Sequence, residues 1–235
     1  MKEQLQSDFD KIVKISKISE KEIQLKKDFL NKFIECGFPN RKQEDWKFLD
    51  ISQIIKKSIN DLNFFNDYSQ TNKIDSSIFV KSLDHNKIIF INGRIEKIDF
   101  NYEDQNKIEI NDETKEDVSF DYNNSLIDLN SAFSHKVFKI IVKKNYSLKR
   151  PLIIYHTTND KIKSTNINLR LDFELGENSS LKLIDYFANN TEKNFINIFY
   201  NFNLRKDSVL KNYKIDKFKN DDLKYSFNNI EQGNN

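Results

Sequence analysis

Three stretches of this 235-residue chain follow one pattern: Val142-Lys143-Lys144-Asn145-Tyr146-Ser147-Leu148-Lys149, Leu175-Gly176-Glu177-Asn178-Ser179-Ser180-Leu181-Lys182 and Leu204-Arg205-Lys206-Asp207-Ser208-Val209-Leu210-Lys211. Each reads aliphatic, two turn-like residues, Asn or Asp, two residues, Leu, Lys. The separations of 33 and 29 residues fall among the periods that mark stacked repeats. Asn and Asp tolerate left-handed backbone and bond to their own chain, so each marks a tight corner between strands. Coils stacked at such corners place each aliphatic over the previous one, and every coil borrows its buried neighbours from the next. The pattern predicts a parallel β-helix. The alternative is an antiparallel meander whose hairpins look alike.

The residues around these corners agree with strands. Phe138, Ile140 and Val142 alternate, as do Ile167, Leu169, Leu171 and Phe173, while Phe195, Ile196, Ile198, Phe199 and Phe202 form a denser run. Further upstream, Ile88–Ile91 and Arg94–Ile98 flank Asn92-Gly93, the strongest short hairpin signal. Leu126–Phe133 reads as one or two helical turns.

The chain before residue 78 has a helical period. Ser19 and Glu22 form a capping box, Leu25, Phe29 and Phe33 with Leu30 and Ile34 line one face, and Gly37 followed by Pro39 ends the helix. The spacing predicts a helix over Glu20–Cys36. Ile12, Val13, Ile15 and Ile18 suggest another helix before it, and Asp50 with Gln53 caps a short one through Lys57. Ser58–Ser77 has no clean period and reads as a connector. The expected organisation is a small helical domain with its connector over residues 1–77, then a mainly β domain, a β-helix, over 78–235 that is incomplete at its C-terminal end.

Hydrophobic residues make up 37% of the chain, including 20 Phe, enough for a globular core. The 38 basic and 36 acidic residues give a net charge of +2 with no long basic block, which argues against nucleic acid or an anionic membrane as partner. No stretch reaches the ~20 apolar residues of a membrane span, and the start lacks a secretory apolar core, so a cytoplasmic location is expected. The single cysteine, Cys36, excludes an intramolecular disulfide.

Few residues carry a chemical signature. His85, His135 and His156 lack a partner at a ligand interval; Asp84 adjoins His85, but neighbouring side chains diverge on a strand. Structural roles are expected for all three. Cys36 ends a helix, where the dipole disfavours a thiolate, so packing is expected of it. With four glycines and no phosphate-binding loop or nucleophile elbow, the sequence nominates no catalytic, cofactor-binding or metal-ligating residue. A carbohydrate-active β-helix enzyme would need carboxylates gathered on one face. Overlaying the repeats instead sets Asp185 between Ile154 and Lys214, with no carboxylate ladder.

Several segments carry a resemblance. Phe38-Pro39-Asn40-Arg41-Lys42-Gln43-Glu44-Asp45-Trp46-Lys47-Phe48 resembles the N-terminal signature of SufD in the SufB/SufD family, the scaffolds of the SUF iron–sulfur cluster assembly system. Phe90-Ile91-Asn92-Gly93-Arg94, Leu129-Asn130-Ser131-Ala132-Phe133, Lys149-Arg150-Pro151-Leu152 and Leu175-Gly176-Glu177-Asn178 are similar to later family segments, in the same order. Ser179 departs from the family's Ala after the last of these.

The resemblance implies an N-terminal helical domain and a right-handed parallel β-helix. It also implies a non-catalytic scaffold role, with SufB-like and SufC-like subunits as partners and an iron–sulfur cluster held transiently by the intact complex. In the family the later coils pair with SufB and C-terminal helices hold the ATPase SufC, so the proposed cluster or iron ligands lie beyond these residues and none is carried over. Trp46 is expected to be a packing anchor, with Glu44 and Asp45 solvated or paired to Arg41 and Lys42. An uncapped last coil is expected to self-associate. The other functional readings are a cytosolic adaptor of different role and a carbohydrate-active enzyme.

Overall fold

The structure is a computed structural model and describes residues 1–15, 18–59, 61–67, 73–113, 123–159, 161–188, 193–217 and 222–233. Its helices are α1 (Lys2–Ile15), α2 (Glu20–Cys36), α3 (Ile51–Ser58) and α4 (Ser125–Phe133). The strands are β1 (Asn86–Ile91), β2 (Arg94–Asp99), β3 (Ile108–Glu113), β4 (Val137–Val142), β5 (Leu152–Thr157), β6 (Asn166–Leu175), β7 (Ser180–Ala188), β8 (Phe195–Leu204), β9 (Val209–Lys217) and β10 (Leu223–Gln232).

The strands wind as a β-solenoid of about 3 turns. One sheet runs β2-β1-β5-β7-β9 and the other β10-β8-β6-β4-β3. From β4 onward every pairing within a sheet is parallel, with β4 beside β6 beside β8 beside β10, and β5 beside β7 beside β9. The antiparallel pairs β1–β2 and β3–β4 close the first end. The meander alternative is thereby excluded.

The three predicted corners lie over one another. Asn145, Asn178 and Asp207 have φ of 57°, 53° and 55°, the left-handed region that Asn and Asp tolerate best after glycine. The Asn145 amide donates to Glu177 O at 2.7 Å and the Asn178 amide to Lys206 O at 3.0 Å, so backbone bonds tie corner to corner. Approach is close enough at Gly176 that an added Cβ would sit 2.5 Å from Lys144 N and 2.9 Å from its Cα.

Period-2 alternation then fills the lumen. Ile154, Leu171, Leu183 and Ile198 are fully buried there, each burial of an aliphatic side chain being worth roughly 1.5–3 kcal/mol. On the outer face of the first sheet, Ile89, Ile153 and Tyr155 are covered by Ile78, Phe79 and Val80.

The outer face of the second sheet carries the helices. Asn130 Nδ2 on α4 donates to Leu169 O at 2.9 Å and Asn197 O at 2.8 Å, and Asn197 Nδ2 returns a bond to Leu126 O at 2.8 Å. Phe133, Phe38, Phe64 and Phe195 then join the helices to β8 in one apolar cluster. The predicted caps are present. Glu22 N donates to Ser19 Oγ at 3.2 Å, Gln53 N to Asp50 Oδ1 at 2.9 Å, and Gly37, at φ 68°, closes α2 on Phe33 O.

Two regions differ from expectation. The acidic segment between the Asn92-Gly93 hairpin and Leu126, for which no strand is expected from the sequence, contains β3, whose Ile108 and Ile110 pack against the lumen cluster. Part of the expected connector is structured: Asn63 bridges Thr165 in parallel and buried Phe64 enters the helical core. No helix among the described residues is long and apolar enough to cross a membrane.

Candidate functional site

Residues pointing into the lumen change character along the solenoid. Leu181, Leu183, Asp185 and Phe187 alternate inward on β7, and the register sets Asp185 between Ile154 on β5 and Lys214 on β9. On the last rung the inward positions are Leu210, Asn212, Lys214 and Asp216 of β9, facing Lys224, Ser226, Asn228 and Ile230 of β10, so the polar groups sit mid-strand. An apolar lumen becomes a charged one within a single rung.

A buried network makes the transition. Asp185, 1% exposed, accepts from His156 Nε2 at 2.8 Å through Oδ1 and from the Tyr200 hydroxyl through Oδ2. The His156 proton is thereby assigned to Nε2. Its ring is stacked between Phe90, at 5.4 Å and 8°, and Phe187, at 4.2 Å and 6°. Burial pushes the Tyr200 hydroxyl well above its ordinary pKa, and the neighbouring Asp185 carboxylate adds to the effect. The Lys214 ammonium lies 4.8 Å over the Tyr200 ring and donates to Ser226 Oγ at 2.5 Å and Asn228 Oδ1 at 3.2 Å. Burial lowers the Lys214 pKa, Asp185 opposes that shift and Lys224 reinforces it. Lys224 pairs with Asp216 and covers the Phe187 ring at 3.9 Å.

These groups hold the lumen together and do not open onto solvent at Asp185 or His156. What the last rung does present is edge. Among the described strands, β9 is bonded only to β7 and β10 only to β8, so each offers one row of free backbone donors and acceptors. Val209, Tyr213 and Ile215 on β9 and Ile230 on β10 are 41–56% exposed beside those rows.

Set against models of known protein families and against curated proteins, the sequence matches none.

The residues singled out in the sequence are scattered over the fold. His85 is buried, its Nδ1 bonded to Leu83 O at 2.6 Å and its Nε2 to the Tyr155 hydroxyl at 2.8 Å. His135 is half-buried between α4 and β4, and His156 belongs to the lumen network, so the three rings do not converge. Among the described residues no group of three His, Cys, Asp or Glu side chains is arranged to hold a metal ion. Cys36 is exposed, which corrects the packing expectation: it continues the spacing of Phe29 and Phe33 but is the last residue of α2, past the part of the helix that is covered. Trp46 does pack, with its ring 5.8 Å from Tyr225 of β10, and Glu44 and Asp45 are exposed. The lumen network was missed because Asp185, His156 and Tyr200 come from three strands and share no sequence interval.

Proposed function

We propose that this chain is a non-catalytic scaffold subunit of an iron–sulfur cluster assembly complex of the SufB–SufC–SufD kind, with SufB-like and SufC-like proteins as its partners and the cluster as the cargo of the complex. One observation supports the reading above others: each segment that resembles the SufD signatures occupies a joint of the fold. Glu44–Trp46 is a 3-10 turn that sets the indole on the last strand. Asn92 and Gly93, at φ 53° and 82°, make the hairpin beside the first rung. Leu129–Phe133 is the C-terminal half of α4, a helix buried along its whole length.

Lys149 and Arg150 form a corner clamped by Glu103, and Gly176 is the point of closest rung contact. Joints determine how a solenoid is built, and the inference from architecture to assembly role is one of analogy.

The test is co-purification of the tagged chain with the SufB-like and SufC-like proteins of the same cell, alongside iron–sulfur enzyme activities in a strain lacking the gene. Retention of the SufB-like subunit, weakened by Tyr213→Asp and Ile230→Asp, and a fall in those activities are expected. Recovery of neither partner with unchanged activities would overturn the proposal.

A further inference from the structure

At the end of the solenoid opposite the last rung, a cleft of about 420 Å³ separates the closing strands β2 and β3 and reaches the lumen. Its floor is apolar, formed by Ile95, Ile110, Phe138 and Leu169, all of which belong to or pack on the lumen core. Its wall carries Arg94, His135 and Lys136, with Asp112 as the acidic side chain among the described lining residues. Lys136 is paired with Asp112, and the Arg94 guanidinium lies 3.8 Å from Glu96.

The volume falls in the range of small-molecule sites, which typically combine an apolar lining with a few convergent polar groups. His135 and Lys136 also line a second cavity of about 30 Å³ behind the first, with Lys26, Ser131 and Arg170. Ser131 is 7% exposed and its Oγ has no hydrogen-bond partner.

We propose that this cleft binds a small amphipathic carboxylate of the medium-chain fatty acid type. Its chain lies on Ile95, Phe138 and Leu169, and its carboxylate sits between Arg94, His135 and Lys136. The apolar floor is the mouth of the lumen and takes a hydrocarbon chain without burying a polar group. A carboxylate at the wall gains charge-assisted bonds from a guanidinium and an ammonium, the strong class of such contacts. A neutral alcohol gains none of these. A phosphate would leave the apolar floor uncovered.

The electrostatic state of the wall agrees. His135 is held below its ordinary pKa by burial, then by Lys136, Lys26 and Arg94, with Asp112 the opposing influence. Three cations thus add to burial in disfavouring a proton on this ring, and an anion placed among them offsets their share. Ligand binding is therefore coupled to the protonation of His135.

The test uses the full chain and three probes: octanoate, 1-octanol and acetate. Binding is followed by calorimetry, and the three histidines are followed individually by the NMR titration of their rings. Octanoate is expected to bind and to raise the His135 midpoint while leaving His85 and His156 in place, with acetate and octanol at least tenfold weaker. Arg94→Gln and Lys136→Gln, each checked for folding by circular dichroism, are expected to weaken octanoate by about tenfold, the scale of one hydrogen bond to a charged group. Equal binding of octanol, or octanoate binding that leaves His135 unmoved in the unmodified chain, overturns the proposal.

Discussion

The side-chain amide of Asn178 donates to the side-chain carbonyl of Asn145 at 3.2 Å, from one rung to its neighbour across 33 residues of sequence. Both residues hold positive φ, so the contact joins two corners that each need an unusual backbone. Asn178→Ala is expected to lose about 1–2 kcal/mol, the cost of left-handed backbone for an ordinary residue. Asn178→Gly should lose less, because glycine forfeits the side-chain bond but not the conformation. Urea unfolding of the pair distinguishes the two contributions.

Gly176→Ala should be damaging for a different reason. The new methyl would meet backbone atoms of Lys144 at 2.5 and 2.9 Å, and backbone cannot swing aside as a flexible side chain can. A loss of about 1–3 kcal/mol is expected, as for overpacked cores. Gly233→Ala, whose nearest neighbour is at 3.4 Å, serves as the matched control and should stay within about 0.5 kcal/mol.

Asp185 accepts two buried donors, so its removal strands both. Asp185→Ala is expected to cost at least about 2 kcal/mol, because each unsatisfied buried donor costs about 1–3. Asp185→Asn keeps one acceptor and should fall between the two proteins. A double-mutant cycle with Tyr200→Phe should show coupling above about 0.5 kcal/mol, and additive effects would count against the network.

Glu103 governs stability in acid. Its carboxylate accepts from Asn86 Nδ2 at 2.6 Å, the Tyr146 hydroxyl at 2.7 Å, Lys149 N at 3.0 Å and Arg150 N at 3.1 Å. Burial pushes its pKa up, but these bonds together outweigh burial and leave it below the ordinary 4.5. A depressed folded pKa contributes stability that is present above the unfolded value and disappears as the pH falls through the folded one. Glu103→Gln should therefore flatten the loss of stability below pH 4.5, measured by thermal melts across the acid range.

Lys26 acts in the opposite pH range. Its amine is pushed down to about 8 by burial, against the pull of Glu22 and with the help of Arg170, while Nζ donates to Ser134 O at 2.6 Å. Between about 8 and 10.5 the unfolded chain binds the extra proton, so stability rises with pH in that window. Lys26→Met should remove the rise and gain on the order of 1 kcal/mol at neutral pH, net of the lost bond to Ser134.

What could be read from the residues was whatever rests on local backbone chemistry. Helix Glu20–Cys36 is announced at both ends by Ser19 and Gly37, and the β1–β2 turn by Asn92-Gly93. The pairing of Asp185 with Lys214 follows from the 29 residues between the Asn178 and Asp207 corners, whereas Ile154 lies 31 residues before Asp185, two fewer than the 33 between Asn145 and Asn178. The second line of corners was illegible. There the positive-φ residues are Ser164 and Lys193, which carry no turn signal. The stacking runs instead through Thr165 N to Asn194 Oδ1 at 3.1 Å and Asn194 N to Asp222 Oδ1 at 2.8 Å.

Strand β3 was hidden because its acidic residues alternate with only two isoleucines.

The change from Ile154 to Asp185 to Lys214 along one column has a further effect on encounters at that end. Hydrocarbon gives way to ammonium and carboxylate groups that water can reach, so an approaching surface finds ions where the rungs behind hold isoleucine and leucine. A surface of opposite charge should associate there faster at low ionic strength and more slowly as salt is added, and one of like charge should do the reverse, because screening within about 10 Å at 0.1 M weakens such steering.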